Sequence, residues 1–134
     1  MIREWEEFHG GPSEPARERL HVTINPRCII LLNKKVSEAL GDPASAMLLY
    51  DRRNQTIGIR AAGPGDIKPF PVKQHPKGSH RGIYAKPFCR HHKIIPTEHI
   101  RFQNPELDQD GVLTLDLHNT EPVEKKKRRP IMPD

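Results

Sequence analysis

Apolar residues are concentrated in one stretch of this chain, and that limits what the chain can fold into. Residues 20–62 hold 21 of the 46 apolar residues, and the other 91 positions share the remaining 25. The apolar share of 34% is below that of an ordinary globular chain, whereas 14 prolines are unusually many. We therefore expect one modest core with irregular flanking segments, which excludes a large enzyme core.

The first half of this stretch has the pattern of two strands. His21 to Asn25 alternates polar and apolar side chains, so Val22 and Ile24 should lie on one face of a strand. Residues 28–32 form a continuous apolar run, which is typical of a strand that is covered on both faces. Because so short a chain has little material for both faces, we expect a second copy of the protein to supply the cover.

A short helix is predicted between two residues that suit its ends. Asn33 can accept an unpaired amide of the first turn, and Gly41 can adopt the left-handed conformation that follows a helix. The helix should span Lys34 to Leu40, with Ser37 and Glu38 facing outward. The residues expected to face inward are Val36, Ala39 and Leu40.

Two further strands are predicted at residues 46–50 and 56–60, joined by a polar loop of hairpin length at Asp51 to Gln55. A later turn at Asp110-Gly111 precedes an alternating strand over residues 112–118. The fold class is therefore mainly β, a β-β-α-β-β core with an additional C-terminal strand. The inward residues of that last strand should be Leu113, Leu115 and Leu117.

The run VTINPRCIILLNKKVSEALGDPASAMLLYDRRNQTIGIR resembles the AbrB-like (SpoVT/AbrB) swapped-hairpin DNA-binding domain, over residues 20–62 only. The resemblance implies a small swapped-hairpin barrel formed by a homodimer, and a role in DNA binding and transcription regulation. Basic residues that are typical of the later part of the family's helix are replaced here by Ser37 and Glu38. Most of the family's usual basic contact residues are therefore missing.

Positive charge is concentrated in the middle of the chain. Residues 20–93 hold 13 basic and 4 acidic side chains, although the whole chain has a net charge of only +5. Basic side chains that neutralise phosphates release bound counterions, so this excess favours nucleic-acid binding, with an ordinary solvated surface as the alternative. The candidate nucleic-acid-binding residues are Arg27, Lys34, Lys35, Arg52, Arg53, Lys73, Lys77 and Arg81.

Residues 61–96 show no regular spacing of apolar residues and are rich in proline and glycine. Basic side chains alternate there with Phe70, Tyr84 and Phe88, an arrangement that can bind a single strand while bases stack on the rings. The alternative is that Ile83-Tyr84-Ala85 forms a short strand docked on the core.

The chain divides into four predicted parts. Residues 1–19 are expected to be a flexible N-terminal segment, 20–62 the AbrB-like core, 63–118 a basic loop and strands packed on that core, and 119–134 a disordered basic tail. The opening residues carry acids where a secretory signal would carry bases and an apolar run, so we expect a cytoplasmic protein without membrane contact.

Several histidines lie near one cysteine, which raises the question of a metal or catalytic site. Structural zinc sites usually offer two pairs of ligands at regular spacings, and only one thiol lies in this region, so we expect no metal and no other cofactor. No nucleophile or phosphate-loop motif is present, so we expect no enzyme activity. The alternatives are a module that binds an acidic protein and a zinc-stabilised or catalytic domain. The residues concerned are His75, His80, Cys89, His91, His92 and His99.

Overall fold

The computed structural model describes residues 4–5, 19–74 and 78–123. This part of the chain contains two short helices, α1 (Lys34–Ala39) and α2 (Lys86–His92). The strands are β1 (Val22–Ile24), β2 (Ile29–Leu32), β3 (Ser45–Asp51), β4 (Thr56–Ala61), β5 (Phe70–Pro71), β6 (Lys73–Gln74), β7 (Arg81–Tyr84), β8 (Ile100–Phe102), β9 (Glu106–Leu107), β10 (Leu113–Asp116) and β11 (Thr120–Pro122). The prediction of a mainly β fold is confirmed.

The strands form two antiparallel sheets. The first has six strands in the order β11-β8-β1-β2-β7-β6, and the second has five in the order β5-β3-β4-β10-β9. The inner faces of both sheets contribute to one apolar core, which includes Ile24, Ile30, Ile59 and Leu113. The described strands of one chain do not close into a barrel, so the swapped-hairpin barrel stays a prediction. Dimer formation stays a prediction.

Strand β2 is covered differently from the expectation. Ile30 and Leu32 face the core and are fully buried, whereas Ile29 and Leu31 on the opposite face are half-buried. A second copy is not needed to bury Ile30, because residues beyond 62 supply the neighbours. Strand β7 pairs with β2, and β8 pairs with β1. The apolar run therefore has one inner face and one outer face.

The predicted caps of the first helix are confirmed. The Asn33 side-chain oxygen accepts from the Val36 amide at 3.0 Å, and Gly41 follows the helix with a φ of 85°. The inward face differs at two positions. Ser37 is buried and Ala39 is exposed, whereas the opposite was expected. The Ser37 hydroxyl can be buried because it donates a hydrogen bond to the Asp42 carboxylate, 3.0 Å away. A hydroxyl with a partner is not costly to bury.

The second sheet follows the sequence pattern closely. Strands β3 and β4 pair antiparallel across the predicted loop, and β10 pairs with β4 on its other side. Leu113 and Leu115 are fully buried and Leu117 packs against the core, as expected from their alternation. Gly111, in the turn before β10, has a φ of 78°, which suits a residue without Cβ.

The proline-rich region is more regular than its composition indicates. It contains β5, β6, β7 and α2, and the short strand predicted around Ile83 and Tyr84 is present as β7. The disordered tail was expected to begin at residue 119, but Thr120–Pro122 form β11 and pair with β8. An ion pair between Arg101 and Glu121 ties these two strands together.

Asp66 joins Arg60 and Gly63 in a local hydrogen-bonded clamp, which should make the free energy of unfolding depend on pH in the acid range. Its carboxylate accepts two hydrogen bonds from Arg60, at 2.7 and 2.8 Å, and one from the Gly63 amide. These bonds lower the pKa of Asp66 to about 2, from an ordinary value of 3.8. The contribution to stability is therefore fully present above pH 3.8 and is lost as the pH falls through about 2.

We therefore expect Asp66→Asn to lower the urea midpoint at pH 7, and the gap from the wild type to close as the pH approaches 2. Asp110→Asn removes the same charge from an exposed turn and is the control, with little change at any pH. A gap between Asp66→Asn and the wild type that persisted unchanged into acid would contradict this account of the clamp.

Candidate nucleic-acid interface

Four of the eight predicted phosphate-binding residues lie at two opposite ends of the first sheet. Because β2 and β7 are antiparallel, Leu32 pairs with Arg81 at one end and Ile29 pairs with Tyr84 at the other. Lys34 and Lys35 begin α1, directly after β2 at the Leu32 end. At the Tyr84 end, the Ala85 amide donates to the Cys28 carbonyl, which brings the Arg27 turn beside the start of α2.

Positive and negative side chains are mixed at the Leu32 end. Lys34 and Arg81 line a shallow pocket of about 240 Å³ together with the acids Glu38 and Asp42. Lys34 lies 3.9 Å from the Glu38 carboxylate. A phosphate placed there would meet two carboxylates as well as two cations, so this end is poorly suited to a polyanion.

The other four candidates occupy different positions. Arg52 and Arg53 lie in the exposed loop between β3 and β4. On the outer side of the first sheet, the Lys73 ammonium lies 4.8 Å from the centre of the Tyr84 ring, whose residue is 53% exposed. This cation is thus already in contact with an aromatic face. Lys77 lies outside the described residues.

Helix α2 presents a basic face to solvent. Phe88 and Cys89 are buried against the core and His92 is half-buried, whereas Lys86, Arg90 and His91 are exposed. Lys93 ends the helix with a left-handed φ of 56°, and the Ile94 amide then donates to the Cys89 carbonyl at 2.8 Å. This end turns the chain sharply and keeps Lys93 beside the helix.

Two concave surfaces meet at His91. One is an open groove lined by Lys86, Pro87, Arg90 and His91. The other is a cavity of about 500 Å³ that Arg52, from the β3–β4 loop, shares with His91 and Lys93. Among the described residues that line them, none is acidic. We call the set Lys86, Arg90, His91, Lys93 and Arg52 the α2 face.

His92 lies behind the α2 face in an aromatic cluster. Its ring centre is 4.7 Å from that of Tyr50 and 4.8 Å from that of Phe88. Burial lowers the pKa of His92, and the nearby charges of His91 and Arg52 lower it further. The ring is therefore neutral at pH 7 and contributes an aromatic surface rather than a charge.

The two cysteines lie beside each other in the core. Cys28 and Cys89 are both free and buried, and burial together with contact from the Cys28 thiol raises the pKa of Cys89 to about 12. A nucleophilic cysteine needs a lowered pKa, so Cys89 has the opposite property. Within the part of the chain that the structure describes, no three metal-ligating side chains come together.

No protein-family model, curated protein or solved structure matches this chain. The resemblance of residues 20–62 to the AbrB-like domain therefore stays a prediction. Neither described helix has the length and apolar content to cross a bilayer.

Sequence reasoning placed only part of the α2 face. Arg52 was among the predicted contacts, whereas Lys86, Arg90 and Lys93 were considered only among the basic side chains of an irregular loop that could bind a single strand. The helix was missed because it has no side-chain N-cap and is short. The available signal was Pro87, since proline is favoured in the first turn of a helix.

Proposed function

We propose that the protein binds nucleic acid by placing backbone phosphates on the α2 face. The observation that carries this proposal is the convergence of basic side chains from α2 and the β3–β4 loop without a carboxylate among the described lining residues. Such a surface neutralises several phosphates at once, and the release of counterions from the nucleic acid favours the complex.

The α2 face supports this function better than the Leu32 end does. Both ends carry several cations, but only the Leu32 end also places Glu38 and Asp42 within the same pocket. Arg27 lies near the start of α2, so a strand that extends beyond the helix would reach a further cation. A regulatory role in transcription, as the AbrB-like resemblance implies, would use the same phosphate contacts.

Salt dependence tests the proposal directly. Binding of a fluorescent single-stranded oligonucleotide and of a duplex is measured by anisotropy at about 50 mM and about 200 mM salt. We expect measurable binding at the lower concentration and a fall of at least about tenfold at the higher one. An acidic peptide of equal charge is the control, because a module for acidic proteins would bind it as tightly as the nucleic acid. No binding at low salt would reject the function.

A further inference from the structure

The cavity beside the α2 face has a basic rim and a wall that is partly apolar. Arg52 and Lys93 lie at its exposed rim, whereas Ile94, Ile100 and Leu117 are buried or half-buried in its wall. A site for inorganic phosphate alone would not need this apolar wall. A site for a purely apolar ligand would not need the cations.

The aromatic rings add a second property to the same wall. Tyr50 and His92 both line the cavity, are both half-buried, and are inclined to each other by 43°. Because the His92 ring is neutral at pH 7, it adds aromatic surface to the wall without adding a charge. A flat heterocycle can stack on rings of this kind.

The volume sets the size of the ligand. About 500 Å³ lies within the range of sites that hold small organic molecules, and it is enough for one base with its sugar. Ile95 lines the same site and is 79% exposed. Its side chain would be covered by a bound ring.

We propose that this cavity receives one unpaired base of a nucleic-acid strand whose adjacent phosphates contact Arg52 and Lys93. The inference rests on the proposed function for its phosphate contacts, and it specifies the ligand as single-stranded nucleic acid. A base inside a duplex is stacked and paired, so its flat face cannot reach Tyr50 and His92 unless it leaves the helix.

The first test compares oligonucleotides on the wild-type protein and needs no variant. A homopolymer of thymidines is compared with a strand of equal length in which every base is missing, so that both carry the same phosphates. We expect the strand with bases to bind about tenfold more tightly, and also more tightly than a duplex of the same length. Equal affinity of the two strands would overturn the inference while leaving phosphate binding intact.

The second test blocks the cavity without removing a charge. Leu117 lines the cavity, so the larger side chain of Leu117→Trp should fill it. The preference for the strand with bases should then be lost, while binding of the abasic strand is unchanged. Leu107→Trp, on the edge strand β9 and 40% exposed, is the matched control and should keep the preference. A preference retained in a folded Leu117→Trp variant would contradict the site.

A third measurement separates the cavity from the phosphate surface. Thymidine monophosphate is titrated into protein with labelled methyl groups, and we expect saturable shifts at Ile100 and Leu117. If neither oligonucleotide binds but these methyl groups shift, the proposed function is wrong, whereas the cavity is still a site for a nucleotide. If the oligonucleotides bind and these methyl groups do not shift, the cavity assignment fails alone.

Discussion

Replacing Arg52, Arg90 and Lys93 together with alanine should lower the affinity for a single-stranded oligonucleotide about a hundredfold at low salt. The three side chains are exposed and lie around the α2 face, so their loss removes phosphate contacts without opening the core. The slope of log affinity against log salt should fall by about 2, since each lost contact to a single strand contributes about 0.7.

The chain offers a matched control for this change. Replacing Lys34, Lys35 and Arg81 with alanine also removes three positive charges, but from the end of the sheet where Glu38 and Asp42 lie. This variant should lose no more than about tenfold in affinity, because only the general attraction of the protein's charge is reduced. Equal losses in the two variants would show that net charge, and not the α2 face, accounts for binding.

The largest effect on stability is expected from Ile30→Ala. Ile30 is fully buried between the two sheets, so the cavity left by truncation should lower the free energy of unfolding by about 2–5 kcal/mol. Ile29→Ala, one residue earlier on the half-buried outer face, should cost only about 1 kcal/mol. Urea denaturation measures both values on the same strand.

The same pair of variants tests how β2 is covered. Because the described residues of one chain bury Ile30, the stability lost in Ile30→Ala should not depend on protein concentration. If the two variants lost equal stability, both faces of β2 would be enclosed, and a partner would have to supply the second cover. A loss in Ile30→Ala that changed with protein concentration would lead to the same conclusion.

Local signals explain what the sequence predicted well. Asn33 and Gly41 determine the ends of α1 through hydrogen bonds and a backbone conformation that involve only close neighbours in sequence. The alternation of Leu113 and Leu115 likewise reports a strand with one buried face. In each case the evidence lies within a few residues, so no knowledge of the distant chain is required.

Long-range pairing explains what the sequence did not predict. The neighbours of β1 and β2 in the first sheet are β8 and β7, which follow some 50 or more residues later and outside the apolar stretch. A pattern confined to residues 20–62 therefore suggested that a second chain supplied the missing cover. The same reason explains why the α2 face was not predicted. Arg52 and Lys93 lie far apart in sequence, and only the folded chain brings them to one cavity.

The location of the bound strand tests the central claim most directly. Backbone amide shifts are recorded while a short single-stranded oligonucleotide is titrated into labelled protein. The largest changes should occur in α2, in residues 93–95 and in the β3–β4 loop, with smaller changes in α1. Changes confined to α1 and β7, with α2 undisturbed, would contradict the assignment of the α2 face as the nucleic-acid interface.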